Sequence, residues 1–224
     1  GVGFETTTPT IAAAILEADA RGLQNFSVYC AHKTTPPALR AISNDPETTI
    51  DGFILPGHVA TITGLAPFGF LVDEFNTPGV VTGFEPVDIL QGIYMLVQMI
   101  VEDRPAIDNA YRRGVNADGN PVARQLVEQV FEPCDTTWRG LGSIAASGLA
   151  IRPEFSHFDA SMRFDVSIEP TVEPRGCRCG DVLRGAITPC DCPLFGHACT
   201  PEHPVGPCMV SSEGSCAAYY RYRV

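Results

Sequence analysis

The sequence lacks any cluster of Lys and Arg: its 15 basic residues are outnumbered by 26 acidic ones, for a formal net charge of −11. Affinity for a phosphate backbone comes largely from clustered cations, so no nucleic-acid partner is expected. It also lacks the roughly 20 predominantly apolar residues that a bilayer span needs. The longest apolar stretch, Val87 to Val101, is interrupted by Asp88, Gln91, Gly92 and Gln98. A soluble chain with no membrane contact is therefore expected. "GFETTTP" near the start lacks the lysine and glycine spacing of a phosphate-binding loop, and neither a Ser–His–Asp signature nor an internal repeat is present. No signal peptide opens the chain, and its first residues, "GVGFE", read as the end of a strand running into a loop, which suggests that upstream residues are missing.

What is present is enough for a core. With 224 residues and 45% hydrophobic content the chain can bury one or two domains. Thr8 followed by Pro9 is a helix start, because a hydroxyl can cap open amides while proline sits where its missing N–H costs nothing. Gly22 stops that helix. "NFSVYC" (25–30) reads as a buried strand and "PPALRAIS" (36–43) as a short helix, with a further strand in "IDGFILP". "PGVVTGFEP" (78–86) gives a third strand and turn. A long helix follows, with Ile89, Leu90, Ile93, Leu96, Val97, Ile100 and Val101 spaced as one buried face. "VARQLVEQVF" predicts another helix, "WRGLGSIAASGLAI" extended segments and "SHFDASMRF" a short helix. Alternating strands and helices imply an α/β fold, a parallel sheet with helices on both faces. The expected organisation is an α/β domain over 1–150, a connecting segment over 151–176 and a Cys-rich region over 177–224.

That last region holds seven of the nine cysteines, from Cys177 to Cys216, and is rich in Pro and Gly with no apolar period. It cannot build a core alone, so something covalent or metallic must hold it. Three answers compete. A disulfide framework suits small secreted chains, whereas these cysteines are appended to a domain of cytosolic character. Structural zinc usually takes two C-x₂₋₄-C pairs, but Cys177/Cys179 and Cys190/Cys192 are C-x-C pairs. An iron–sulfur cubane tolerates ligands widely spaced in sequence, provided four thiolates converge, and Cys177, Cys192, Cys199 and Cys216 would serve.

Those four cysteines follow a C-x₁₄-C-x₆-C-x₁₆-C spacing that resembles the C-terminal signature of the HypD family of [NiFe]-hydrogenase maturation factors. The likeness extends to "GFETT" (3–7), "HK..PPA" (32–38), "DGFILPGHV" (51–59), "GFEP.DILQ" (83–91), "FEPCD..WRGLG" (131–142) and "GPCMVSSEGSCAAYYRY" (206–222), in the family's order. The resemblance implies a [4Fe–4S] cluster on Cys177, Cys192, Cys199 and Cys216, in an arrangement similar to ferredoxin–thioredoxin reductase, with Cys179 and Cys208 left over as a redox pair. It implies a cytoplasmic scaffold, more than a turnover enzyme, on which iron acquires two cyanides and one carbon monoxide. The partners it implies are a HypC-like chaperone and a HypE-like cyanide donor. An iron–sulfur disulfide reductase and a zinc-stabilised interaction module are the alternative readings. The family's "CGTHT"-like and "GPGCPVC"-like motifs do not occur here, which fits a truncated chain whose parallel sheet would expose edges and apolar surface.

Further residues have plainer readings beside the functional ones. Cys190 competes with Cys192 as a ligand. Cys30 reads as a small core residue and Cys134 as structural. His58, in "PGH" at the carboxyl end of a strand, is a candidate for lining the iron cleft, and His32 occupies an analogous place. Glu5 and Glu85 both follow "GF" after a strand, suggesting matching positions on neighbouring strands where a carboxylate orients a ligand, accepts a proton or caps a helix. His157 and His203 read as surface or tail residues, and His197 as a neighbour that tunes a cluster without ligating it.

Overall fold

A computed structural model of the chain describes residues 1–165 and 174–223. The chain divides into two compact units. The first holds Gly1–Ser43, Asp51–Thr136 and a stretch beginning at Ala145. The second gathers Asn44–Ile50, Thr137–Ile144 and the C-terminal residues. Part of the 151–176 stretch, 166–173, lies outside the described residues.

The first unit opens with β1 (Val2–Gly3), α1 (Thr8–Ala20), β2 (Ala31–His32) and α2 (Thr35–Ser43). It continues with β3 (Phe53–Pro56), α3 (Gly57–Thr63), α4 (Phe70–Asp73), β4 (Gly79–Thr82), α5 (Pro86–Val101) and β5 (Ile107–Asn109). Next along the chain come α6 (Pro121–Val130), β6 (Phe131–Trp138), β7 (Gly142–Ile151) and α7 (Ala160–Arg163), of which Thr137–Ile144, the tip of the β6-β7 pair, is counted in the second unit. The fold is α/β, and its parallel strands fall in two small sheets: β1 beside β2, and β3-β4-β5 with β4 in the centre. All four residues of β4 are buried, as a central parallel strand requires. β6 and β7 form a separate two-stranded sheet.

The α1 helix starts at Thr8 as expected, but its hydroxyls do not cap amides. Thr8 Oγ1 donates to the Phe4 carbonyl at 2.9 Å, and the Thr7 side chain accepts no helix N–H. The helix ends in a Schellman arrangement: Gly22, at φ +60°, donates to Asp19 O while Leu23 donates to Ala18 O. Thr8, Ala12, Ile15 and Ala18 form its buried stripe, packed with Val130, Phe131, Ile151 and Phe158. Each fully buried Ile or Phe of this cluster contributes about 1.5–3 kcal/mol. A second cluster joins Leu55, Val59, Phe68, Leu71 and Val81 around the three-stranded sheet.

Three further sequence expectations fail here. Asn25–Cys30 is not a strand: only Val28 bridges, to Asp159, and the pairing segment is Ala31–His32. Glu5 and Glu85 do not follow neighbouring strands, because β1 and β4 belong to different sheets. The apolar face expected to bury α5 points largely outward, with Leu90 67% and Val101 78% exposed. The helix instead buries Asp88, Gly92 and Leu96. A Cβ on Gly92 would lie 2.3 Å from Thr82 Cγ2, so the glycine lets the helix sit directly on β4 and turns the larger apolar residues away. Among the described residues no helix is long and apolar enough to cross a membrane.

The second unit has little regular structure. Its helices are α8 (Cys179–Leu183), α9 (Pro207–Val210) and α10 (Ser215–Tyr222).

Candidate metal centre

Four short devices position the sulfurs of the second unit. Thr188 donates its N–H (2.9 Å) and hydroxyl (2.7 Å) to Asp191 Oδ2, closing a turn that delivers Cys192. Cys199 ends a tight loop in which its N–H donates to Leu194 O at 2.9 Å and Gly196, at φ +72°, donates back to Cys199 O. Its sulfur accepts the Val205 N–H at 3.4 Å. Cys216 sits in the first turn of α10. Gly206 leaves room for Cys177, whose sulfur would lie 2.5 Å from any Cβ placed there.

The result is one pocket lined by Cys177, Cys192, Cys199 and Cys216, with about 300 Å³ between its lining atoms, part of it open to solvent. Cys179 and Cys208 share its wall and are joined as a disulfide, with Cα atoms 6.2 Å apart. Apolar neighbours Val182, Leu194, Phe195 and Met209 complete the lining. Burial, and then the facing sulfurs of Cys192, Cys199 and Cys177, push the Cys216 thiol up to about 11. Cys216 thus lies within electrostatic reach of the other three sulfurs. Among the described residues no three His, Cys, Asp or Glu side chains are drawn tightly enough to share a single metal ion. A cubane asks for something different, since each thiolate meets its own iron. The donor set, four soft sulfurs on a mostly apolar wall, fits such a cluster.

Cys190 lies outside this lining. It is exposed, and Arg223 Nη1 donates to its sulfur at 3.0 Å. His197 and His203 are also exposed and line none of the pocket. Cys30 packs against the α1 core and donates to Leu149 O at 3.0 Å, while burial raises the Cys134 thiol above its usual range. His157 is a surface residue 3.4 Å from Asp19.

The other candidates sit in the first unit. His58 is the second residue of α3, just past the carboxyl end of β3, and is exposed; its ring meets the edge of Phe84, with centroids 4.9 Å apart, and lies 6.3 Å from Tyr111. Glu85 follows β4 and faces Arg113 at 3.2 Å. His58, Phe84, Glu85, Tyr111 and Arg113 thus gather at the carboxyl ends of the β3-β4-β5 sheet, where open parallel sheets bind ligands. Arg113 also grips Asp88 through two hydrogen bonds, 2.7 and 2.6 Å, and holds that carboxyl below its usual range. Sequence reasoning missed this pairing; the available signal was an acid inside an otherwise apolar helix. Glu5 lies elsewhere, lining a pocket with Thr8, Thr34, Thr63, Arg124 and Glu128. Burial raises its pKa even though it accepts two hydrogen bonds from Thr35. His32 is 2% exposed on β2, its Nδ1 3.5 Å from Cys30 Sγ and its Nε2 without a partner.

Comparison with known proteins adds a name to these arrangements. The family profile described as "HypD: Hydrogenase formation hypA family" matches residues 1–223. The chain is 47% identical to the hydrogenase expression/formation protein HupD of Azotobacter chroococcum mcd 1 over 227 residues, covering 99% of this chain and 60% of that protein. It is 46% identical to the hydrogenase maturation factor HypD of Cupriavidus necator, with the same coverage, and 44% identical to that of Escherichia coli K12, covering 100% of this chain and 60% of that protein. The chain therefore spans about 60% of the length of the curated relatives it matches. With a family match over almost every residue, the chain belongs to the HypD family of hydrogenase maturation factors.

Proposed function

We propose that this chain acts in a cytoplasmic hydrogenase maturation scaffold that takes part, with a HypC-like chaperone and a HypE-like cyanide donor, in assembling the Fe(CN)₂CO unit of [NiFe]-hydrogenase. In this reading Cys177, Cys192, Cys199 and Cys216 hold a [4Fe–4S] cluster. The observation that carries it is the convergence of those four sulfurs, distant in sequence, on one pocket whose remaining wall is largely apolar. Four thiolates crowded without cations repel, and iron relieves that repulsion as the thiols lose their protons.

When bound, the cluster would supply electrons one at a time beside the Cys179–Cys208 disulfide. Opening that bond consumes two electrons and two protons and leaves two thiols. The iron fragment with its cyanide and carbonyl ligands is the cargo. His58 and Glu85, at the carboxyl ends of the parallel strands, are the residues proposed to face it; Glu5, which lines a separate pocket, is not among them.

The test is to co-produce the protein with HypC-like and HypE-like partners, isolate it without oxygen and record the infrared spectrum. Stretching bands of iron-bound cyanide and carbon monoxide on a complex containing this chain are expected. Iron-loaded protein that forms the complex without such bands overturns the assembly role. The Cys179–Cys208 disulfide in the pocket wall also favours a second reading, an iron–sulfur disulfide reductase. Steady-state reduction of a small disulfide by a reduced ferredoxin, without any stoichiometric partner, would select it.

A further inference from the structure

Cys179 is the first residue of α8, a helix of five residues. So short a helix has no stability of its own. The disulfide to Cys208 holds it at one end, and a second attachment holds the other. Arg184, which follows the helix, extends Nη1 to Asp45 Oδ2 at 2.7 Å and Nη2 to Asp181 Oδ1. The carbonyls of Arg184 and Gly185 accept the hydroxyls of Thr48 (2.8 Å) and Thr49 (2.7 Å). Gly185, at φ +70°, presses against Ile50, whose Cγ1 would lie 2.8 Å from a Cβ there. The segment Asn44–Ile50 belongs to the same compact unit as the cysteines, although it stands over 130 residues earlier in the chain.

The opposite side of α8 is fixed as well. A Cβ on Gly180 would lie 2.3 Å from the Gly140 carbonyl oxygen, so the helix backbone rests directly on the tip of the β6-β7 hairpin. Cys208 has its own support. Gly214 closes on the Cys208 carbonyl, where a Cβ would come within 2.2 Å, and the adjacent Met209 is 2% exposed. Each half of the pair thus has contacts besides the sulfur–sulfur bond.

We propose that Arg184 and Asp45 are positioning residues for the Cys179–Cys208 couple. They hold α8 so that Cys179 stays beside Cys208 after the bond opens, which raises the effective concentration of one thiol at the other and favours re-closure. This rests on reading the couple as redox-active. The side chains of Arg184, Asp45 and Asp181 are 29%, 15% and 21% exposed, so the ion pairs are more sheltered than ordinary surface bridges. The guanidinium fork matters, because it spans two carboxylates that a lysine ammonium would meet only singly.

The experiment equilibrates the anaerobic, iron-loaded protein in reduced and oxidised glutathione. In that exchange the Cys179–Cys208 bond breaks, two glutathione thiols join as a disulfide, and the two protons and two electrons pass to Cys179 and Cys208. Alkylation and mass spectrometry then count the open pair. Arg184→Met is expected to lower the equilibrium constant for disulfide closure on the order of tenfold, the scale of a charge-assisted hydrogen bond, which is about 30 mV for two electrons. Asp45→Asn is expected to move it in the same direction, Arg184→Lys less, and the Arg184→Met/Asp45→Asn double variant no further than Arg184→Met alone. Arg163→Met, which removes guanidinium hydrogen bonds to the Phe26 and Gln24 carbonyls within the first unit, serves as the control for general loosening. Equal potentials in Arg184→Met, Asp45→Asn and the parent overturn the proposal, as does an equal shift in the control. A parent pair that never opens overturns both the proposal and the redox reading, whereas a parent that cycles normally beside unshifted variants removes only the role of Arg184 and Asp45.

Discussion

The Glu5 carboxylate accepts the backbone N–H of Thr35 at 2.6 Å and the Thr35 hydroxyl at 3.0 Å, tying the loop after β1 to the start of α2. The carboxylate is buried, and burial outweighs these hydrogen bonds, so its pKa lies above the ordinary 4.5. A raised acid pKa means that the folded chain holds a proton the unfolded chain has lost, and stability falls as pH rises from 4.5 through the folded value. Glu5→Gln removes that penalty while keeping an oxygen for the Thr35 N–H. The variant is expected to melt at a higher temperature than the parent at pH 7, and the gap to close as the pH is brought below 4.5, as followed by circular dichroism.

Gly57 begins α3 against the end of β4, where a Cβ would lie 2.1 Å from the Thr82 carbonyl oxygen. Gly57→Ala must push the helix off the strand and is expected to cost about 1–3 kcal/mol in urea unfolding. Gly22→Ala meets nothing within 4 Å and carries only the strain of φ +60°, so its expected cost is smaller, about 1 kcal/mol. The ordering of the two separates steric approach from backbone conformation.

Arg113 is the partner that lets Asp88 sit 4% exposed within α5. Arg113→Met leaves a sheltered carboxylate without its cation, so it is expected to destabilise more than the Arg113→Met/Asp88→Asn pair, in which nothing charged is stranded. Because Arg113 holds the Asp88 pKa below 3.8, the pair's contribution is present above that pH and lost as pH falls through the lower folded value. Acid titration of parent and double variant checks the sign.

The outward face of α5, with Leu90 and Val97 67% and 51% exposed, contributes little to the fold of this chain. Leu90→Lys and Val97→Lys are expected to leave the unfolding free energy within about 0.5 kcal/mol of the parent while reducing self-association in light scattering. A large loss of stability would mean that these side chains pack where the structure leaves them open.

Local patterns in the sequence identified α5, β4 and the Cys-rich region, because a helical period, a run of β-branched residues and a set of thiol spacings are carried by neighbouring residues. They could not identify which side of α5 faces inward. That depends on Gly92 meeting Thr82 and on Asp88 finding Arg113, 25 residues on. The strand expected over Asn25–Cys30 failed because its segment meets a partner only at Val28. At the site, the spacing named four of the six cysteines that line the pocket but not the support under Cys179, since Arg184 and Asp45 are 139 residues apart and nothing local marks either.

The proposed function places an iron–sulfur cube on four sulfurs of one pocket. It is tested most directly by iron, sulfide and zinc analysis with visible absorption on anaerobically isolated protein, alongside Cys216→Ala and Cys190→Ala. The account predicts about four irons and four sulfides per chain, a brown protein unaffected by Cys190→Ala, and loss of both iron and colour in Cys216→Ala. Colourless protein carrying zinc, or full iron retained after Cys216→Ala, would contradict it.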